Sequence, residues 1–134
     1  MSGNFNVTSV ILPTTLGDAK ELIVLRAPTN ALGGGLRIKW AYAVEMASGQ
    51  TSGTAFALQL HKYSAAGTPA VNGTIAAAIG GTASPLAAGV PQEFVLDADY
   101  TFIDAGESVA VYYDEEGATN PTEASVVIGW EPGS

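Results

Sequence analysis

The second half of this chain has no basic residue, because no lysine, arginine or histidine follows Lys62. Residues 63–134 carry ten carboxylates, whereas residues 1–62 carry five basic groups against three acids. The net charge of −8 therefore divides into −10 and +2. Nucleic-acid binding draws most of its affinity from basic groups that neutralise phosphates, so this composition argues against a nucleic-acid partner. The electrostatic field of so acidic a chain also limits which charged protein surfaces can approach it.

Cysteine is absent as well, which excludes disulfides, thiolate metal sites and cysteine nucleophiles. The longest apolar stretch, residues 75–90, is interrupted by glycine, serine, threonine and proline, and it is too short to span a bilayer of about 30 Å. The opening residues lack the charged start and apolar run of a signal peptide. We therefore expect a protein made in a cytoplasm, with no membrane partner.

The length of 134 residues is that of a single domain, which we place at residues 1–134. Charged residues make up only 13% of the chain, about half the usual share of roughly 25%. A surface with so few charges is either rich in small polar residues or covered by neighbouring molecules. The composition thus favours an associating protein over a solitary one.

Apolar residues alternate with other residues along most of the chain, which predicts β-strands with one buried face. The longest series is Leu36, Ile38, Trp40, Tyr42, Val44 and Met46. Shorter series surround Phe56–Leu60, Phe94–Leu96, Val109–Tyr113 and Ala124–Trp130, and strands are also predicted over Asn4–Leu12, Glu21–Ala27 and Thr74–Gly80. Glu21–Ala27 is apolar on both faces, as expected of a central strand or one that a subunit covers. Eight short strands separated by Gly- and Pro-rich turns predict an all-β antiparallel sandwich, most simply an eight-stranded jelly roll.

Residues that could perform chemistry are few. His61, the sole histidine, lies on the strand face opposite Leu58 and Leu60, where a solvated or interface residue is expected. The acids around residues 97–107 and 114–116 could surround a calcium ion, but they do not follow the EF-hand spacing, and solvated loop acids are the simpler interpretation. We therefore predict that the protein is not an enzyme and has no catalytic residue, cofactor or metal.

The aromatic residues divide into two predicted sets. Trp40, Tyr42, Tyr113 and Trp130 lie on the apolar stripes and are assigned to the core. Tyr112 points away from its stripe. With Tyr63 and Tyr100, it could stack on a sugar or contact a neighbouring subunit, a role in which tyrosine is enriched.

Three stretches carry a resemblance to a known group of proteins: residues 21–47 (ELIVLRAPTNALGGGLRIKWAYAVEMA), 73–81 (GTIAAAIGG) and 104–130 (DAGESVAVYYDEEGATNPTEASVVIGW). In style and order they resemble small virion proteins of tailed bacteriophages, in particular capsid decoration, or cement, proteins. The resemblance implies a homotrimer on the outer capsid that binds the major capsid protein, stabilises the shell and is assembled in the host cytoplasm. Fibres of the phage head or tail and host-surface adhesins look similar.

Interface residues follow from charge and exposure rather than from the resemblance. The basic residues Arg26, Arg37, Lys39 and Lys62 are expected to meet an acidic capsid or subunit surface, and Tyr112 is expected to contact a neighbouring subunit. The alternative function is that of a fibre, an adhesin or a carbohydrate-binding module, for which two or three exposed aromatic rings on one face would be the distinguishing feature.

Overall fold

A computed structural model describes residues 6–13, 20–28, 34–45, 55–65, 71–81, 84–115 and 124–133. Nine strands lie in these ranges: β1 (Asn6–Ile11), β2 (Lys20–Arg26), β3 (Gly35–Glu45), β4 (Phe56–Tyr63), β5 (Val71–Gly80), β6 (Gln92–Glu93), β7 (Phe102–Asp104), β8 (Ser108–Glu115) and β9 (Ala124–Pro132). A single 3-10 turn, Ala98–Tyr100, precedes β7. None of the described segments is a helix long and apolar enough to cross a membrane.

The strands form two antiparallel sheets. The five-stranded sheet has the order β1-β9-β3-β6, with β7 also paired to β3, and the four-stranded sheet has the order β2-β8-β4-β5. The pairs are nested: β1 pairs with β9, β2 with β8, β3 with β6 and β7, and β4 with β5. Such nested pairing across two packed sheets is the topology of a jelly roll. The predicted fold class is confirmed.

Because the strand pairs are nested, the basic and acidic halves of the sequence are interleaved in the folded molecule. Each of the strands β1 to β4, which belong to the basic half, pairs with at least one strand of the acidic half. The boundary at Lys62 is therefore not a boundary between two bodies of opposite charge.

The core lies between the two sheets. Inward-facing residues from both sheets are almost fully buried, among them Leu36, Ile38, Val126 and Ile128 from the five-stranded sheet and Phe56, Leu58, Leu60, Val109, Val111 and Tyr113 from the four-stranded sheet. The rings of Phe56 and Tyr113 pack with their centroids 5.2 Å apart. The prediction that Tyr113 belongs to the core is thus confirmed.

Three local predictions differ from the structure. The strand expected at Phe94–Leu96 is reduced to β6, after which Phe94 donates its backbone N–H to Ala41 O and Leu96 makes only an isolated bridge to Ala76. β7 has three residues, too few for alternation to reveal it. β2 is an edge strand with Ile23 53% exposed, so Glu21–Ala27 is not a central strand, and the alternative, a strand that a subunit covers, stays a prediction.

Candidate binding faces

The outer surface of the five-stranded sheet carries three of the seven large hydrophobic side chains that are exposed among the described residues. A register shift between Ile38 and Trp40 places a β-bulge in β3. Before the bulge, Leu36 and Ile38 face the core; beyond it, Ala41, Ala43 and Glu45 are the buried residues. Trp40, Tyr42 and Val44 therefore face outward. The prediction that Trp40 and Tyr42 belong to the core was wrong, because one extra residue in a strand exchanges its two faces.

Neighbouring strands extend this surface through residues paired with the outward positions of β3. We call it the aromatic face; it consists of Val7, Ser9 and Ile11 of β1, Trp40, Tyr42 and Val44 of β3, and Ser125, Val127 and Gly129 of β9. Val7 is 60% exposed, Ile11 72% and Trp40 37%. Large exposed apolar patches are typical of interaction sites, so the aromatic face is the candidate binding face.

Gly129 creates the space in which the Trp40 indole lies. A Cβ atom at this position would fall 2.1–2.4 Å from three atoms of the indole ring, so no side chain other than hydrogen fits beneath it. The indole is nearly parallel to the Tyr42 ring, with an interplanar angle of 11° and centroids 5.9 Å apart. An isolated glycine inside an apolar strand indicates a bulge or a close approach, so Gly129 was the sequence signal that could have revealed this arrangement.

Two of the predicted interface residues lie on β3 beside this face. Lys39, at the bulge, is exposed. Arg37 is partly buried; its Nη1 donates to Thr101 Oγ1 at 3.2 Å, and its guanidinium lies 5.3 Å from the centroid of the Phe102 ring. Lys39 is thus directed to solvent, whereas Arg37 holds the segment before β7.

Lys62 has a similar role inside the chain. Its Nζ donates to Phe102 O at 3.3 Å, lies 3.6 Å from Glu107 Oε1 and sits 5.7 Å from the centroid of the Tyr100 ring. The Lys62 and Glu107 side chains are only 12% and 9% exposed. Arg26 ends β2 at the same end of the sandwich and is exposed, next to Ala27, which exchanges backbone hydrogen bonds with residues 106 and 107. Two of the four basic interface candidates therefore fasten residues 98–107 to the sandwich.

The outer surface of the four-stranded sheet is different in character. His61 Nδ1 lies 2.7 Å from Glu21 Oε2, and Nε2 lies 2.7 Å from Gln59 Oε1. The imidazole thus links the Glu21 carboxylate to the Gln59 side-chain amide. The imidazole stacks on Tyr112 at 5.0 Å. We call Glu21, Gln59, His61 and Tyr112 the polar cluster; it joins the edge strand β2 to β4 across β8.

The polar cluster bears on three predictions. His61 is only 9% exposed and hence is not a solvated residue. Glu21 holds one ring nitrogen of His61, as a carboxylate does for a catalytic histidine. The other ring nitrogen, which would face a substrate, is hydrogen-bonded to Gln59. Tyr112 packs on His61, while Tyr100 lies against Lys62 at the end of the sandwich, so those two tyrosines do not share a platform.

Tyr63 borders the polar cluster on β4. Burial raises the pKa of the Tyr63 hydroxyl above its ordinary value of 10.0, and the nearby Glu21 carboxylate raises it further. The neutral phenol is thus the form that the folded protein favours.

The acids of residues 97–107 act within their own segment. Asp97 Oδ1 accepts from the Asp99 N–H at 3.0 Å and caps the 3-10 turn, and Glu107 Oε1 accepts from the Asp104 N–H at 2.8 Å. Within the described ranges, no three acidic or histidine side chains form a group that could hold a metal ion. Glu116 of the second acidic cluster lies outside these ranges.

Comparisons with known proteins give a distant structural likeness. No protein-family model and no curated protein matches the chain. Among solved structures, the chain is similar to one in the structure of infectious bursal disease virus Gx strain, with 12% identity and a TM-score of 0.39. That alignment covers 98% of this chain and 32% of the viral chain, so this protein spans about a third of the length of that chain.

Proposed function

We propose that this protein is a structural component of a virion, a decoration protein that binds the outer capsid surface as a homotrimer and stabilises the shell. The observation that carries the proposal is the aromatic face, an exposed apolar surface built with a bulge and a dedicated glycine. Jelly rolls recur in viral capsid proteins, which agrees with a virion role at the level of the fold. The resemblance of residues 21–47, 73–81 and 104–130 to phage decoration proteins supports the narrower role.

Stabilisation by such a protein follows from multivalent contact. Each weak contact becomes effectively intramolecular once a neighbouring contact has formed, so several sites on one trimer hold adjacent capsid subunits together. A partner that binds only the intact shell shifts the equilibrium toward that shell. The proposed partner is the major capsid protein, which the aromatic face contacts and exposed Lys39 approaches by charge.

The test is co-sedimentation with shells of the parent virus that lack this protein. Trp40→Ala is expected to weaken binding by about tenfold or more, because large aromatic side chains dominate the binding energy of interfaces. Ile23→Ala is the matched control: Ile23 is an exposed apolar residue on the outer side of the other sheet, and its truncation should leave binding unchanged. Equal binding by wild type and Trp40→Ala would contradict the proposal.

Two further measurements address the finer parts of the proposal. The reversal of exposed Lys39 to Glu is expected to weaken shell binding, and undiminished binding would remove Lys39 from the interface. Light scattering should give a mass of about 41 kDa, that of a trimer of 13.6 kDa chains, or a multiple of that mass where trimers associate. A mass of one chain at working concentrations would contradict the trimer.

The nearly parallel, exposed rings of Trp40 and Tyr42 also favour a second candidate function, carbohydrate binding in a fibre or adhesin. Two such rings can stack against the apolar face of a pyranose, and jelly rolls also occur in lectins. A glycan array distinguishes the two functions. Specific binding that Trp40→Ala abolishes and Tyr112→Ala preserves would support the adhesin, whereas an empty array together with shell binding would support the decoration protein.

A further inference from the structure

The edges of the two sheets are unequal in how well they are protected against pairing with another strand. β2 has charged residues at both ends and a register shift between Ile23 and Leu25. β5 has three register shifts against β4, and residues 96 and 97 cover part of its free edge through Ala76 and Ile75. β6 and β7 have only two and three residues. Charges, irregularity, covering segments and short length are the usual means by which proteins block edge pairing.

β1 is the exception. Its sequence, NVTSVI, has no charge, proline or glycine, and its six residues pair with β9 in an unbroken register. Valine, isoleucine and threonine favour extended structure. Val7, Ser9 and Ile11 are exposed and belong to the aromatic face. Along residues 7–11, no other described strand pairs with the side of β1 that faces away from β9, and a regular, uncharged edge of this kind can accept another strand.

We propose that β1 pairs antiparallel with β1 of a second copy of this chain, across a two-fold axis at Ser9. In this register Val7 lies opposite the partner's Ile11, Ser9 lies opposite the partner's Ser9, and Ile11 lies opposite the partner's Val7. The outward residues of both copies then remain on the same side, so the two five-stranded sheets become one continuous sheet. A register centred on Thr8 would instead place Val7 opposite the partner's Ser9 and Ile11 opposite a position that precedes β1.

Charge favours a second copy at this edge. Two copies, each with a net charge of −8, repel over most approaches, and an uncharged strand that meets itself brings no like charges into opposition. The contact is isologous and two-fold, so it is separate from the three-fold contact of the proposed trimer and would join one trimer to another. The inference goes beyond the proposed function and does not depend on shell binding.

The absence of cysteine makes disulfide trapping a clean test. Ser9→Cys places the two introduced thiols directly opposite each other, where Cβ atoms of paired residues are about 4.5–5.5 Å apart, close to the distance that a disulfide needs. Mild oxidation of the purified protein is expected to give a covalent pair of about 27 kDa. Ser125→Cys is the matched control, since it makes the same substitution on the same face, one strand further from the edge. Labelling with a thiol reagent confirms that both introduced thiols are accessible.

Charge variants then test the register in the Ser9→Cys background. Val7→Lys with Ile11→Lys puts like charges opposite each other twice, and we expect about tenfold less trapping. Val7→Lys with Ile11→Glu makes both pairs attractive at the same two positions and should restore trapping. Circular dichroism of the four variants identifies any that fail to fold.

Two results would overturn the proposal. The first is trapping of Ser9→Cys no faster than that of Ser125→Cys. The second is an equal effect of the Lys/Lys and Lys/Glu pairs, which would rule out this register. Neither measurement uses shells. A failure of the edge contact can therefore be distinguished from a failure of shell binding.

Discussion

The two outer faces of the sandwich have similar strand architecture but use their side chains in opposite ways. In the polar cluster of the four-stranded sheet, the side chains hydrogen-bond to one another. His61 is only 9% exposed, although it lies on the outer side of the sheet. On the five-stranded sheet, the bulge turns Trp40 and Tyr42 away from the core and toward solvent. The side chains of the first face contact one another within the chain, whereas those of the second remain exposed, and we propose that a partner covers them. Substitutions on the first should therefore reduce stability, and those on the second should mainly reduce binding.

The largest effect on stability is expected from His61→Ala. This change leaves the largely buried Glu21 carboxylate without its hydrogen-bond partner and removes the stacking on Tyr112. Together these losses should lower the free energy of unfolding by about 3 kcal/mol, measured by urea denaturation. In a Glu21→Gln background the same substitution should cost at least about 1 kcal/mol less, because no charge is left unpaired. A cost for His61→Ala as small as that of Trp40→Ala would break the comparison between the two faces.

A smaller effect is expected from Gly129→Ala. The added Cβ overlaps the indole of Trp40, which must leave its position over β9. Because the indole is at the surface and can swing outward, we expect a loss of only about 1 kcal/mol in stability, accompanied by weaker shell binding.

The Trp40→Ala background provides the control for that prediction. Without the indole, alanine at position 129 meets no ring, and it should be neutral or slightly stabilising because glycine weakens a strand. If Gly129→Ala cost the same with and without Trp40, the contact between these two residues would not be the cause.

The contrast between the faces also shows which features of the fold the sequence predicts and which it does not. Alternation of apolar residues correctly predicted the sheets and the jelly roll. Each strand buries one face, and an alternation with a period of two residues can be recognised within the strand itself. The bulge at Lys39 could not be found from the alternation of β3 itself, which continues unbroken from Leu36 to Met46. Its partner is Gly129, about ninety residues away, so the evidence lies in a pairing that only the fold establishes.

The polar cluster was hidden for a related reason. Glu21 and His61 are 40 residues apart in the sequence, and they meet only because β8 lies between their strands. The same applies to the basic residues. Arg37 and Lys62 were expected to face a partner because they are charged, yet they contact Thr101, Phe102 and Glu107, which come later in the chain. The composition shows that charged residues are scarce, but it does not show which of them make contacts within the chain.

The smallest effect concerns alkaline pH at the margin of the polar cluster. The pKa of Tyr63 is raised in the folded protein, by burial first and by the Glu21 carboxylate second. A group whose pKa rises on folding contributes stability that is present below its unfolded pKa, near 10, and that is lost as the pH rises through its folded pKa. Wild type should therefore lose stability above about pH 10 more steeply than Tyr63→Phe, which has no phenol to ionise. Urea denaturation between pH 8 and pH 11 measures the two slopes, and Tyr100→Phe, a change at a more exposed tyrosine that lies against Lys62, is the control. Parallel slopes for wild type and Tyr63→Phe would show that this side of the polar cluster does not hold the phenol in its neutral form.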